Sequence, residues 1–280
     1  MFATASVARR IERAEAGLIA EGARAAARRL PAGQLMIREM QGGVAAFVEP
    51  GAPFNKVAGL GFDGVPPPEV LDALEREFAE RQAPLRFEVA TLANPEVVRT
   101  LTRRGYELVG FENVLGLALG AASGFEAVPD IQVTRVADDE APAWLDVVAT
   151  AFMHPDAFDG PASDESFPRD LLDRVFGDTI AAPTFERYLA RRGGSLAGGA
   201  SFRVQDGVAQ LNGAATLPEH RRHGVQTALL RHRLGEAARR GCDIAVVTTE
   251  PGSKSQENVQ KAGFSLLYAR AVLICARTET

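Results

Sequence analysis

Leu217 to Leu230 runs LPEHRRHGVQTALL, and no other segment says as much about the architecture. A strand-like run, Val208 to Thr216, enters it, and an amphipathic helical pattern, Val225 to Arg240, leaves it. Pro218 breaks the strand, and Gly224 permits tight backbone geometry and close approach by a ligand. The first turn of the helix carries N–H groups with no intrahelical partner and the positive end of the helix dipole, an arrangement suited to phosphate. Arg221 and Arg222 stand at its mouth, where guanidinium groups can pair with phosphate oxygens.

The same alternation extends in both directions. Downstream come a strand, Asp243 to Thr249, a helix, Lys254 to Ala262, and an apolar strand region from Phe264 to Ala276. Upstream lie strands at Glu186 to Arg191 and Ala197 to Val204, with Asp206-Gly207 as a hairpin turn before Val208. Before them come a strand (Ile131 to Val136), a helix (Asp138 to Met153), a polar loop HPDAFDGPASDESFP at 154–168, and a helix from Arg169 to Thr179. Residues 120–130, GAASGFEAVPD, read as a linker. They divide the chain into domains at 1–122 and 130–280.

The first half opens on an amphipathic helix over 5–29, with Val7, Ile11, Ala14 and Leu18 on one face. Strands follow at 35–38, 44–48 and 56–60, then a helix from Glu69 to Arg81, a strand from Leu85 to Leu92, a helix from Pro95 to Arg103, and an extended run from Tyr106 to Leu119. LRFEVATLANPEVVRTLTRRGYELVGFENVL and CDIAVVTTEPGSKSQENVQKAGFSLLYARAVL match in pattern, so the halves read as weak copies of each other. The run from Phe264 to Ala276 is short for a hairpin. One continuous strand there invites exchange with Tyr106 to Leu119.

Composition bounds the function. At 280 residues, two domains are the natural division, and 46% hydrophobic with 24% charged residues exclude global disorder. A net charge of -5 argues against a dedicated nucleic-acid binder. Two cysteines, Cys242 and Cys275, point to a reducing compartment. The N-terminus lacks a signal-peptide core, and no apolar run approaches the ~20 residues that span a bilayer. A soluble, cytoplasmic protein without membrane partners is expected. The four histidines have no cysteine or carboxylate partners at ligand spacing, so no metal site is expected.

Strand, Arg-x-x-Gly-x-x loop and helix, followed by strand, helix and Gly263-Phe264, resemble the GNAT superfamily of acyl-CoA N-acyltransferases over about residues 131–276. That family's signature is Arg/Gln-x-x-Gly-x-Gly/Ala, here Arg221-Arg222-His223-Gly224-Val225-Gln226, with Gln226 in place of the small residue. The resemblance implies an α/β (α+β) fold of two GNAT-like units, each a mixed, mostly antiparallel sheet flanked by helices. The N-terminal unit would be degenerate, since DGVPPPE at 63–69 offers prolines and carboxylates where a phosphate needs donors. The resemblance also implies acetyl-CoA as co-substrate. Its pyrophosphate would be cradled by Arg221, Arg222 and the backbone of His223, Gly224, Val225, Gln226 and Thr227. Ala215, Thr216 and Leu217 would pair with the pantetheine arm and polarise the thioester. The strand from Asp243 should diverge from Val208 to Thr216 to make room for it.

The tyrosine acid common in the family falls at Val259, and the usual asparagine at Gly252. Ser255 and Asn258 are offered instead as contacts to the cofactor arm. Tyr268 is the candidate acid and Glu250 the candidate base, with His154 and Asp156 as second choices. The implied activity is acetyl transfer to a primary amine of a small molecule by direct attack in a ternary complex. The acidic loop at 154–168 would suit a cationic amine. A non-catalytic acyl-CoA sensor is the alternative. An ATP- or NAD-binding protein ranks last, because no Lys-Ser/Thr follows Gly224 and no Gly-x-Gly-x-x-Gly occurs.

Overall fold

Strand and helix alternate along the chain much as the periodicity predicts, in a computed structural model that describes residues 1–120, 126–155 and 167–275. The elements are α1 (Ala5–Ala26), β1 (Met36–Met40), β2 (Gly43–Phe47), β3 (Lys56–Ala58), α2 (Pro68–Glu80), β4 (Leu85–Ala90), α3 (Pro95–Arg103) and β5 (Glu107–Ala118). After the linker come β6 (Ile131–Arg135), α4 (Ala141–Phe152), α5 (Arg169–Ile180), β7 (Phe185–Arg192), β8 (Ser195–Gln205), β9 (Val208–Thr216), α6 (Val225–Arg239), β10 (Ile244–Thr249), α7 (Lys254–Lys261) and β11 (Ser265–Cys275). The helix expected over 138–153 starts at Ala141 instead. Residues 138–140 make a 3₁₀ turn, and Pro142, whose nitrogen has no proton to give, sits in the first helical turn.

The chain forms two compact units that trade their last strands. The N-terminal unit holds Phe2–Val114 together with Leu266–Thr280, and the C-terminal unit holds Leu115–Ser265 with Met1. The division therefore does not follow the linker. β11 is one continuous strand, and it pairs antiparallel with β4 inside the N-terminal unit, Arg270 opposite Ala90 and Cys275 opposite Leu85. The strand order in that unit is β1-β2-β3-β4-β11-β5. β3 and β4 are parallel, and β1–β2 and β2–β3 are antiparallel. In the C-terminal unit the end of β5 begins the order β5-β10-β9-β8-β7-β6, with β9–β10 parallel and β6–β7, β7–β8 and β8–β9 antiparallel. Each unit is thus a mixed, mostly antiparallel sheet flanked by helices.

In the C-terminal unit α6 lays Val225, Leu229 and Leu234 on Ala200, Phe202, Ala209 and Leu211, while α4 lays Trp144 and Val148 on the opposite face. Both helices press on backbone. A β-carbon at Gly198 would stand 2.7 Å from the Ala215 carbonyl oxygen and 2.9 Å from Val225, and one at Gly199 would stand 2.7 Å from Val148.

In the N-terminal unit α1 is amphipathic only in part. Ile19, Ala20 and Ala23 pack on Val44, Ala46 and Ala58. Further back, Glu12 is buried and accepts 2.8 Å hydrogen bonds from the Tyr268 hydroxyl and from Arg270 Nε on β11. Arg270 also pairs with Glu15 and Glu112, both at 3.5 Å, and Lys56 and Arg86 pair with buried Glu88 at 2.9 and 3.2 Å. Burial alone would lift the Glu88 carboxyl, but Lys56, Arg270 and Arg86 outweigh it and hold it below its ordinary range.

Candidate active site

β9 and β10 begin side by side and then part. Their parallel register runs Ile244–Val208, Ala245–Ala209 and Val246–Gln210 and stops there, although β9 continues to Thr216 and β10 to Thr249. Parallel neighbours that stop pairing leave both backbone edges free to take an extended ligand. On its other side β9 stays paired with β8, except at a bulge. Gly199 faces Ala215 and Ser201 faces Asn212, so Ala200 alone opposes Gly213 and Ala214. Gly213 takes a φ of +58°, the left-handed conformation such a bulge needs.

The bulge sets which edge each later group faces. Leu217 donates its N–H to the Ala197 carbonyl, 3.0 Å away on β8. By strand alternation the N–H of Thr216 points to the other edge, into the gap beside β10. The Thr216 carbonyl shares that edge and accepts from Arg221 Nε at 3.4 Å. Of the three expected contacts at the strand end, Thr216 therefore offers its N–H to the gap, while that of Leu217 is already engaged. Ala214 packs toward α6, as do Ala245 and Val247, so the side chains of Thr216 and Thr249 follow onto the same face. Both threonine hydroxyls are buried and without a hydrogen-bond partner among the described residues.

The phosphate-type loop follows directly. Arg222 adopts a φ of +63°, and Gly224, the N-cap of α6, a φ of +82°. The first rung of the helical ladder is Ala228 N–H to Gly224 C=O at 2.9 Å. The N–H groups of residues 222–227, among them His223, Gly224, Val225, Gln226 and Thr227, have no partner among the described residues. Six backbone donors at a helix N-terminus fit a pyrophosphate. Arg221 is held in place rather than projecting freely, because its Nη2 also donates to the His154 carbonyl.

The remaining candidates divide. Ser255 and Asn258 lie three residues apart on one side of α7, whose start is capped by Ser253 accepting from Gln256 N–H. Glu250 lies exposed just past the end of β10, and its carbonyl accepts from Ser253 N–H at 3.2 Å. The last candidate is Tyr268. It belongs to the N-terminal unit, buried, its hydroxyl proton given to Glu12, and burial pushes its pKa well up. Asp156, Asp159, Asp164 and Glu165 of the acidic loop lie outside the described residues. Sequence reasoning missed the Gly213 bulge and the Thr249 hydroxyl. Their signals were a small, polar break in apolar alternation at LNGAAT and a threonine at a buried strand position. Among the described residues no group of three His, Cys, Asp or Glu could hold a metal ion, and no helix is long and apolar enough to cross a membrane.

Residues 149–264 match the model of the acetyltransferase (GNAT) family. No curated protein matches the chain. Among solved structures, a GCN5-related N-acetyltransferase from Kribbella flavida superposes with a TM-score of 0.64 at 18% identity, covering 94% of this chain and 96% of that one. A tandem GNAT protein from the clavulanic acid biosynthesis pathway gives 0.60 at 14%, covering 92% and 88%. A GCN5-related N-acetyltransferase from Sphaerobacter thermophilus gives 0.55 at 15%, covering 93% and 91%. These likenesses establish a shared fold.

Proposed function

We propose that this chain, which carries a domain of the acetyltransferase (GNAT) family at residues 149–264, transfers an acetyl group from acetyl-CoA to a primary amine of a small molecule in a soluble, cytoplasmic setting. The observation that carries this reading is the gap that opens past the Val246–Gln210 pair, with β9 leading on to six N–H groups at the start of α6 that have no partner among the described residues. Residues 222–227 hold the pyrophosphate, with Arg221 adding charge. The hydroxyls of Thr216 and Thr249, and Ser255 and Asn258 on α7, give hydrogen bonds to the pantetheine amides. The N-terminal unit is a degenerate copy with no cofactor of its own.

Acetyl-CoA supplies the acyl group as a thioester. The Thr216 N–H hydrogen-bonds the thioester oxygen as negative charge develops on it. Glu250 takes the proton the amine must lose, through a water. The C–N bond forms, the C–S bond breaks, and the thiolate takes its proton from solvent. Tyr268 is given no part in this chemistry.

Calorimetric titration of acetyl-CoA into the wild type and Arg221→Glu tests the cofactor half. Saturable binding that the variant loses by about 100-fold supports it, and absence of binding to folded wild type overturns it. CoA-thiol release with a panel of primary amines tests the rest. Binding without release from any amine favours a sensor, the reading to which Val259 in the usual tyrosine position gives weight.

A further inference from the structure

Arg233 carries a guanidinium with no counter-charge. It lies on α6, 2% exposed, and no carboxylate pairs with it among the described residues. Burial pulls its pKa down to about 10. A buried cation that lacks a carboxylate is costly to keep, so what it does hold is informative. Nε donates to the Leu229 carbonyl of its own helix at 3.1 Å. Nη1 donates to the carbonyls of Ser201, at 2.9 Å, and Asn212, at 3.3 Å. Those two residues face each other at the β8–β9 bulge.

The opposite face of the sheet repeats the device. Trp144, fully buried on α4, donates its indole N–H to the Ala200 carbonyl at 3.3 Å. Ala200 is the residue the two bulge residues oppose. Inside the bulge, the Ser201 hydroxyl donates to Asn212 Oδ1 at 2.5 Å. A β-carbon on Gly213 would stand 2.9 Å from that hydroxyl oxygen. A bulge interrupts the ladder and leaves polar groups to be met by other donors. Here they are met from both faces by buried side chains.

We infer that Arg233 is a positioning residue for acyl transfer: it locks the Gly213 bulge and so fixes the edge to which Thr216 presents its N–H. The inference rests on the acetyl-transfer reading. Arg233 bonds the carbonyls of Leu229, Ser201 and Asn212 and none of residues 221–227, so its loss acts on the reaction and spares cofactor binding. A neighbouring donor displaced by even a fraction of an ångström stabilises an oxyanion poorly.

The test compares wild type, Arg233→Lys and Arg233→Met by three measurements: acetyl-CoA titration, CoA-thiol release with the best amine of the panel, and amide hydrogen exchange over residues 210–218. Arg233→Met is expected to bind acetyl-CoA within about threefold of wild type and to release CoA about 30-fold more slowly. Its exchange over 212–216 should quicken while that of 225–239 does not. Arg233→Lys, which keeps the charge with a single donor group, should fall between. A wild-type rate in Arg233→Met, or equal loss of binding and rate in step with its melting temperature, overturns the inference. If wild type releases no CoA with any amine, the acetyl-transfer reading fails instead. The exchange data then still decide whether Arg233 locks the bulge, and unchanged protection over 212–216 overturns that as well.

Discussion

Each unit contains a parallel strand pair followed by a turn into a helix, and the two pairs end differently. In the C-terminal unit β9 runs on for six residues after its last partner, held to β8 across a bulge, and the helix beyond it opens with unpartnered N–H groups. In the N-terminal unit β3 stops at its last pair, Ala58 with Glu88, and the chain turns away through Gly59 and Gly61. Asn94 N–H then closes on the Gly61 carbonyl at 2.9 Å. Leu60, Leu71, Phe87, Val97 and Leu101 fill the place where a gap would be, leaving no room for a water molecule. The helix that follows is entered through Pro66, Pro67 and Pro68, which have no N–H to offer. The same strand order therefore makes a cleft or a packed core, depending on where one strand stops.

The two units also differ in what holds them. The buried cation of the C-terminal unit, Arg233, bonds backbone carbonyls, whereas α1 of the N-terminal unit covers a buried ionic cluster centred on Arg270. Arg270→Ala would remove the one cation that pairs with Glu12, Glu15 and Glu112 together among the described residues, leaving Arg86 on Glu112 alone. A loss of about 3–5 kcal/mol is expected from urea unfolding, and a loss under about 1 kcal/mol would break the contrast. Next in size is a pH effect. Burial first, and then Glu88, push the Glu112 carboxyl up to about 7 against the pull of Lys56 and Arg270. Arg86 and Glu15 also face this cluster. Folded protein then keeps a proton that the unfolded chain releases near the ordinary carboxyl value. Stability from this group is complete below about pH 4.5 and lost as pH rises through about 7. At 1.36 kcal/mol per unit the change is about 3 kcal/mol. Glu112→Gln should flatten the urea midpoint between pH 5 and 8, and an unchanged slope would assign the dependence elsewhere.

Two smaller effects separate the units by ligand. Gly224→Val puts a branched side chain at φ +82°, with its β-carbon 3.1 Å from Val128. It should weaken acetyl-CoA at least about tenfold and cost about 1–2 kcal/mol. Wild-type affinity would move the cofactor off this loop. Asn94→Ala removes the oxygen that caps α3 by accepting from Glu96 N–H. It should cost about 1 kcal/mol and leave the acetyl-CoA titration unchanged. A shifted dissociation constant would give the N-terminal unit a share of the site.

Local features were the legible ones. Pro95 to Arg103 and Val208 to Thr216 fold over the span their sequence suggests, because proline, glycine and apolar alternation act within a few residues. The turn at Gly224 into α6 was legible for the same reason. The bulge was not, since the extra residue shifts the alternation at Asn212, Gly213, Ala214 and Ala215, where no large apolar side chain marks which face is buried. Glu12 read as the polar side of a helix, because the residues that make its burial tolerable sit on β11, far away in sequence. Tyr268 read as a candidate acid for the same reason. The strand exchange was legible only as a condition, that the run from Phe264 be continuous, and it is.

The exchanged strand also bears on how the chain is made. Glu12 and Arg270 stand 258 positions apart, and β11 lies between β4 and β5 in its sheet. A ribosome delivers the N-terminus first, so this unit waits, with two open strand edges, until β11 has emerged, more than 150 residues after β4 and β5. Folding cannot proceed there one domain at a time, and a cut at the linker would separate the N-terminal half from a strand of its own sheet.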